Sequence, residues 1–113
     1  LSKIEELQLS NSKSNVEPTY WISAAIVDPK FGIHKEELCR LFEGFQIDMR
    51  PLFYPVSAMP PFKPYVSEKI MENENPVTYK LSKYGVCLPN GNNLKPDDIK
   101  YVSDCFKDIL ITY

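Results

Sequence analysis

Residues 47–62 read IDMRPLFYPVSAMPPF, and this stretch divides the chain. Ile47 to Arg50 is a short β-favouring run, and a proline-rich loop with interleaved aromatics follows at once. Pro51, Pro55, Pro60 and Pro61 each fix φ and lack a backbone donor, so the loop is neither a helix interior nor a central strand. Prolines also lower the entropy lost when a loop is ordered. A stiff loop carrying Arg50, Phe53, Tyr54 and Phe62 is suited to presenting side chains. Met59 and Phe62 read as staples from the loop to a core.

Working outward, Lys35 to Gly44 places Leu38, Leu41, Phe42 and Phe45 at the i, i+3, i+4, i+7 spacing of a helix. Glu36 and Glu37 suit its first turn, and Gly44 lies where it would stop. Before it, Thr19 to Val27 (TYWISAAIV) reads as a strand covered on both faces or nearly so, ended by Asp28-Pro29. Residues 1–18 are polar and read as a linker or edge segment.

On the other side, the loop is expected to run irregularly to Asn75. Asn75-Pro76 is an N-cap followed by proline at the first helical position. Val77, Leu81 and Tyr84 line one face of that helix, and Gly85 supplies its stop. Val86 to Leu88 is a short strand closed by Pro89. Pro96-Asp97-Asp98 starts a last helix, whose stripe of Ile99, Val102, Phe106, Ile109 and Leu110 reads as core packing.

The order is therefore β-α-β-loop-α-β-α. Helical stripes need a sheet to cover, and so few strands cannot close a barrel. The expected fold class is α+β: a small three- to four-stranded, mainly antiparallel sheet with three helices packed mostly on one face. The other face, near Trp21, would be left for another domain to cover.

The 113 residues suffice for one domain that buries roughly two-thirds of its unfolded surface. A net charge of -2 and a pI near 5.4 argue against nucleic acid or an anionic membrane as partner. Neither a membrane-spanning run nor a signal-peptide pattern occurs, and the cysteine usage leads us to expect a cytoplasmic protein. Leu1 opens the chain in place of Met, so a fragment or a processed product is expected. Cys39, Cys87 and Cys105 form no CxxC pair and read as buried reduced thiols. His34 is the sole histidine, which excludes multi-His metal sites; at a helix start it suits a surface or capping role. The eleven lysines read as a solvated surface, whereas arginine occurs only at Arg40 and Arg50.

The strings TYWISAAIVDPKFGIHKEELCRLF, FQIDMRPLFYPVSAMPPF and NPVTYKLSKYGVCLPNGNNLKPDDIKYV together resemble the C-terminal domain of the DegT/StrS-type sugar aminotransferases. The landmarks follow the family's order: Tyr20-Trp21, an acidic helix ending in Leu-x-x-x-Phe, Arg50-Pro51, Phe53 to Pro55, Met59 to Phe62, Leu88-Pro89, and Leu94 to Ile99. Each is weak alone, but the ordered set covers residues 16–110. The likeness is strongest to the perosamine-synthase branch, which aminates nucleotide-linked 4-keto-6-deoxy sugars. The chain departs at Ser57, where many relatives carry His near the sugar, and at Lys95, which is usually Thr.

The resemblance implies a pyridoxal 5′-phosphate enzyme whose cofactor, Schiff-base lysine and most phosphate ligands belong to a large domain absent from this chain. Residues 19–113 would be the small domain, with no catalytic, cofactor-binding or metal-binding residue of its own, and inactive when isolated. Its partners would be that large domain, amino-acid and sugar-nucleotide substrates, and a second copy in a homodimer. A planar guanidinium at a strand end suits bidentate recognition of a carboxylate or phosphate. The resemblance implies that Arg50 holds the carboxylate of the amino donor, glutamate. Phe53, Tyr54 and Ser57 are candidates for the sugar-nucleotide side. A structural ion pair for Arg50 stands beside this reading, as does a free-standing α+β ligand-binding or interaction module for the whole chain.

Overall fold

Four short strands and four helices make up the described part of the chain. The computed structural model describes residues 1, 4–10 and 12–113, without the side chain of Glu68. In chain order these are β1 (Leu7–Leu9), β2 (Ala24–Val27), α1 (Lys35–Glu43), β3 (Arg50–Pro51), α2 (Glu68–Glu74), α3 (Pro76–Tyr84), β4 (Gly85–Cys87) and α4 (Pro96–Thr112). The strands lie in the order β1-β2-β4-β3, with every neighbouring pair antiparallel. This is a small α+β domain with an open sheet, as expected.

Register decides which side chains reach the core. Leu7 pairs with Val27, Leu9 with Ala25, and Ala25 with Val86, so these residues share one face. Leu7, Ala25, Val27 and Val86 are buried there with Leu38 and Phe42 of α1 and Cys105, Phe106, Ile109 and Leu110 of α4. The rings of Phe42 and Phe106 meet at 4.7 Å between centroids. Burying such a side chain stabilises the fold by about 1.5–3 kcal/mol. On the opposite face Gln8 is exposed, while Ala24 and Ile26 are only half-buried.

The first long strand is shorter than its composition suggests. It begins at Ala24, because Tyr20 takes a left-handed φ of 52° and Trp21 is 76% exposed. The Asn90 amide donates to the carbonyls of both Tyr20 (2.9 Å) and Trp21 (2.8 Å), so these acceptors are held by a side chain. The full covering expected of this run fails too: Ala25 and Val27 are buried, while Ala24 and Ile26 are not. Asp28 ends the strand by accepting the Lys30 N–H at 2.8 Å. The polar beginning of the chain contributes the edge strand β1.

Helix α1 stops as expected, by a different device. Gln46 N–H bonds to Glu43 O and Ile47 N–H to Phe42 O, the paired bonds of a Schellman ending. The left-handed residue is Gln46 (φ 58°), not Gly44, whose φ is -60°. Ile47 to Arg50 alternates buried and exposed as a strand does, but ladder pairing is confined to Arg50 and Pro51, which lie opposite Cys87 and Val86. Pro51 sits on the sheet's edge strand, where a missing donor costs least.

The irregular run expected up to Asn75 is overturned by α2 and by two short 3-10 turns at Val56–Ala58 and Pro60–Phe62. Helix α2 carries no apolar stripe, so the periodic signal is missing, and Ser67 stands at its N-cap without making a side-chain cap bond. Asn75 does precede α3, but its amide donates backward to Met71 O at 3.2 Å and closes α2. Helix α3 turns Val77 outward, at 67% exposure, and buries Ser82. Leu81 and Tyr84 are half-buried. Helix α4 follows its stripe from Val102 onward, but Ile99 at the first turn is exposed. Met59 and Phe62 are also exposed; Pro55 is the loop residue that reaches the interior.

Candidate functional site

The loop that leaves β3 carries three of the four candidate residues, and the structure divides them between two surroundings. Arg50 stands on β3 opposite Cys87, with three-quarters of its side chain in solvent. Its Nη2 donates to Asp48 Oδ2 at 2.8 Å. The alternating pattern of this run puts both residues on its exposed side. Such an exposed pair is worth about 0–1 kcal/mol, so its carboxylate partner is readily exchanged.

Phe53 is exposed and stacks on Trp21, with centroids 6.3 Å apart and planes at 28°. Together with Tyr20, Leu52 and Pro18 they border an open groove of about 680 Å³. A bulky residue at positive φ is a local strain, and here it holds Tyr20 and Trp21 out from the sheet. The result is an apolar shelf of large exposed rings.

Tyr54 turns the other way. Its hydroxyl donates to Glu36 Oε1 at 2.8 Å, and that bond pushes the phenol's pKa up. The Lys35 Nζ lies 3.4 Å from the centre of the Tyr54 ring. Ser57 is half-buried, with Oγ 2.9 Å from the Tyr79 hydroxyl on α3. It lines a 410 Å³ hollow with Pro55, Phe62, Met71 and Thr78. A neighbouring 240 Å³ hollow brings Tyr54 and Tyr79 together with Lys35, Glu36 and Ser82. Tyr54 and Ser57 thus belong to one polar cluster through Tyr79, while Phe53 belongs to the aromatic shelf and Arg50 to the sheet edge.

Lys35 is the residue that sequence reasoning missed. It is 2% exposed, against the expectation that every lysine is solvated. Its ammonium donates to Leu52 O at 2.9 Å and to Ser82 Oγ at 3.1 Å, and faces the Tyr54 ring. Burial pulls its pKa below the ordinary lysine value, with Glu36 opposing that shift. A signal was present: Lys35 stands three residues before Leu38 and seven before Phe42, on the buried stripe of α1. Ser82 and Asn90 carried no such signal.

Burial also raises the thiol pKa of the half-buried Cys39 and Cys87, so neither is an activated nucleophile. His34 precedes α1 without capping it and packs edge-on against Tyr84 at 5.5 Å. Among the described residues no group of three or more metal-ligating side chains converges, and no helix is long and apolar enough to cross a membrane.

Comparison with known proteins gives these features a setting. Residues 1–107 match the family model of the DegT/DnrJ/EryC1/StrS aminotransferases. Over 102 residues the chain is 28% identical to a GDP-perosamine synthase of Vibrio cholerae, covering 90% of this chain and 27% of that protein. It is 26% identical over 102 residues to a GDP-perosamine synthase of Escherichia coli O157:H7, covering 90% of this chain and 26% of that protein. The chain spans about a quarter of the length of the curated relatives it matches.

Proposed function

Since this chain belongs to the DegT/DnrJ/EryC1/StrS aminotransferase family, we propose that it is the C-terminal part of a sugar aminotransferase. The enzyme would move an amino group from an amino acid, glutamate in this reading, to a nucleotide-linked keto sugar for surface polysaccharide or related sugar biosynthesis. Residues 19–113 serve as its small domain, and residues 1–18 as linker and sheet edge. The observation that carries this reading is the family match over residues 1–107.

The described residues do not form a cradle for pyridoxal 5′-phosphate. The buried amine of Lys35 is engaged on three sides, and the adjacent Glu36 carboxylate accepts from Tyr54. In this reading the cofactor is held by the remainder of the polypeptide, which pairs with a second copy in the cytoplasm. This domain contributes one wall of the substrate cleft. Arg50 exchanges the Asp48 carboxylate for that of the amino donor, and Phe53, Tyr54 and Ser57 border the sugar nucleotide.

The test separates the two half-reactions in the full-length enzyme. Arg50→Lys keeps the charge and loses the planar fork. A hydrogen bond to a charged group contributes about 1.5–3 kcal/mol, so kcat/KM for glutamate should fall about ten- to a hundredfold. Transfer from pre-aminated enzyme to the keto sugar should change far less. Unaltered glutamate kinetics would remove Arg50 from the donor site, and absence of amino transfer in the unsubstituted protein would sink the enzyme reading.

A further inference from the structure

We propose that Lys35 is a positioning residue for the aromatic loop, tying the Leu52 carbonyl and the Tyr54 ring to α1 and α3 and thereby setting how Phe53, Tyr54 and Ser57 meet a substrate. Its part in substrate recognition rests on the function proposed above; the tie itself does not.

Apolar burial does not hold this loop. Phe53, Tyr54 and Val56 are each more than half exposed, and Pro55 alone among residues 53–58 is buried. Pro51 and Pro55 have no N–H to give. Beside the Leu52 N–H bond to Gly85 O at the root of the loop, three polar links run to helices: Lys35 to Leu52, Tyr54 to Glu36, and Ser57 to Tyr79. The Glu36 link is exposed, where water competes for both partners. The Lys35 ammonium is shielded from water, and a buried charge that loses a partner is strongly penalised. Its partners are 17 and 47 residues away in sequence and approach from different elements. Displacing Leu52 or Tyr54 would leave the ammonium underbonded inside the protein, so the loop has one favoured placement.

Lys35→Met in the full-length protein keeps the unbranched stem and removes the ammonium. Amide hydrogen exchange is followed in peptides covering 52–59, where the Leu52, Ala58 and Met59 N–H groups are bonded, and in 99–110 of α4 as a control. Exchange in 52–59 should accelerate about tenfold or more, with less than about a twofold change in 99–110. KM for the keto sugar nucleotide should rise about tenfold while kcat stays within about threefold. Ser82→Ala, which removes one partner and keeps the charge, should move both readouts the same way by about threefold. Exchange in 52–59 that stays at the wild-type rate in both variants overturns the proposal. So does equal acceleration of both segments in Lys35→Met, or a faster loop with unchanged KM. If the unsubstituted enzyme transfers no amino group, the proposed function falls and the exchange experiment still decides the tie.

Discussion

Helices α3 and α4 follow the same kind of start, a proline at the first helical position, yet they join the domain by different physics. Helix α4 buries Cys105, Phe106, Ile109 and Leu110 in the common core. Helix α3 buries only Ser82, and its described side-chain hydrogen bonds run to Lys35 and Ser57. Apolar area is nondirectional and adds stability wherever it is buried. Hydrogen bonds to a buried ammonium add less stability but specify one geometry. The helix that supports the fold is thus distinct from the helix that supports the candidate site.

The largest effect should come from breaking the apolar side of this comparison. Phe106→Ala removes a fully buried ring that packs on Phe42 and should cost about 3–5 kcal/mol in denaturant unfolding. Its counterpart Val77→Ala, on the exposed face of α3, should stay within about 0.5 kcal/mol. Equal losses at the two positions would mean that α3 carries apolar core load after all.

An intermediate effect is expected where α3 runs directly into β4. A Cβ at residue 85 would lie 2.5 Å from Leu52 Cδ2, 2.5 Å from Leu81 O and 2.8 Å from Ile26 Cδ1. One of these neighbours is backbone and cannot rotate away. Gly85→Ala should therefore destabilise by about 1–3 kcal/mol through overpacking, measured by thermal unfolding. A neutral result would show that β4 and the loop root shift more freely than their packing implies.

The smallest effect, and the one that sharpens the comparison most, is a difference in pH dependence. Lys35 has a lowered native pKa, so between that value and the ordinary lysine value near 10.5 the unfolded chain holds more protons at this site. Its contribution to stability therefore rises with pH through that window. Cys39 and Cys87 have values raised by burial and act with the opposite sign. Subtracting the profile of Lys35→Met cancels terms common to both proteins. The difference, wild type minus variant, should climb as pH approaches 10.5. A flat difference would mean that Lys35 titrates as a solvated lysine.

Legibility followed periodicity. The stripe of Leu38 and Phe42, and that from Val102 to Leu110, locate α1 and α4 because a buried helix face must repeat near every 3.6 residues. Helix α2 was hidden because EKIMENE carries no such repeat. The shortened β2 was hidden because Tyr20 and Trp21 favour strands by composition, while an amide seventy residues away in Asn90 engages their carbonyls. Of the candidate residues, the proline loop marked the segment that presents Phe53, Tyr54 and Ser57. It did not reveal that Phe53 joins the aromatic shelf while Tyr54 and Ser57 join the polar cluster around Tyr79.

By itself, then, the sequence determined the class of the fold, the positions of its two core helices and the place of the proline-rich loop after Arg50. These are local properties, written in side-chain size, polarity and the fixed φ of proline. Tertiary structure alone decided the sheet order β1-β2-β4-β3, the outward turn of Val77 and the partners that enclose Lys35. Each of these depends on partners distant in the chain. The spacing to Leu38 and Phe42 puts Lys35 on the buried stripe of α1, but only the folded chain closes Leu52, Tyr54 and Ser82 around its ammonium.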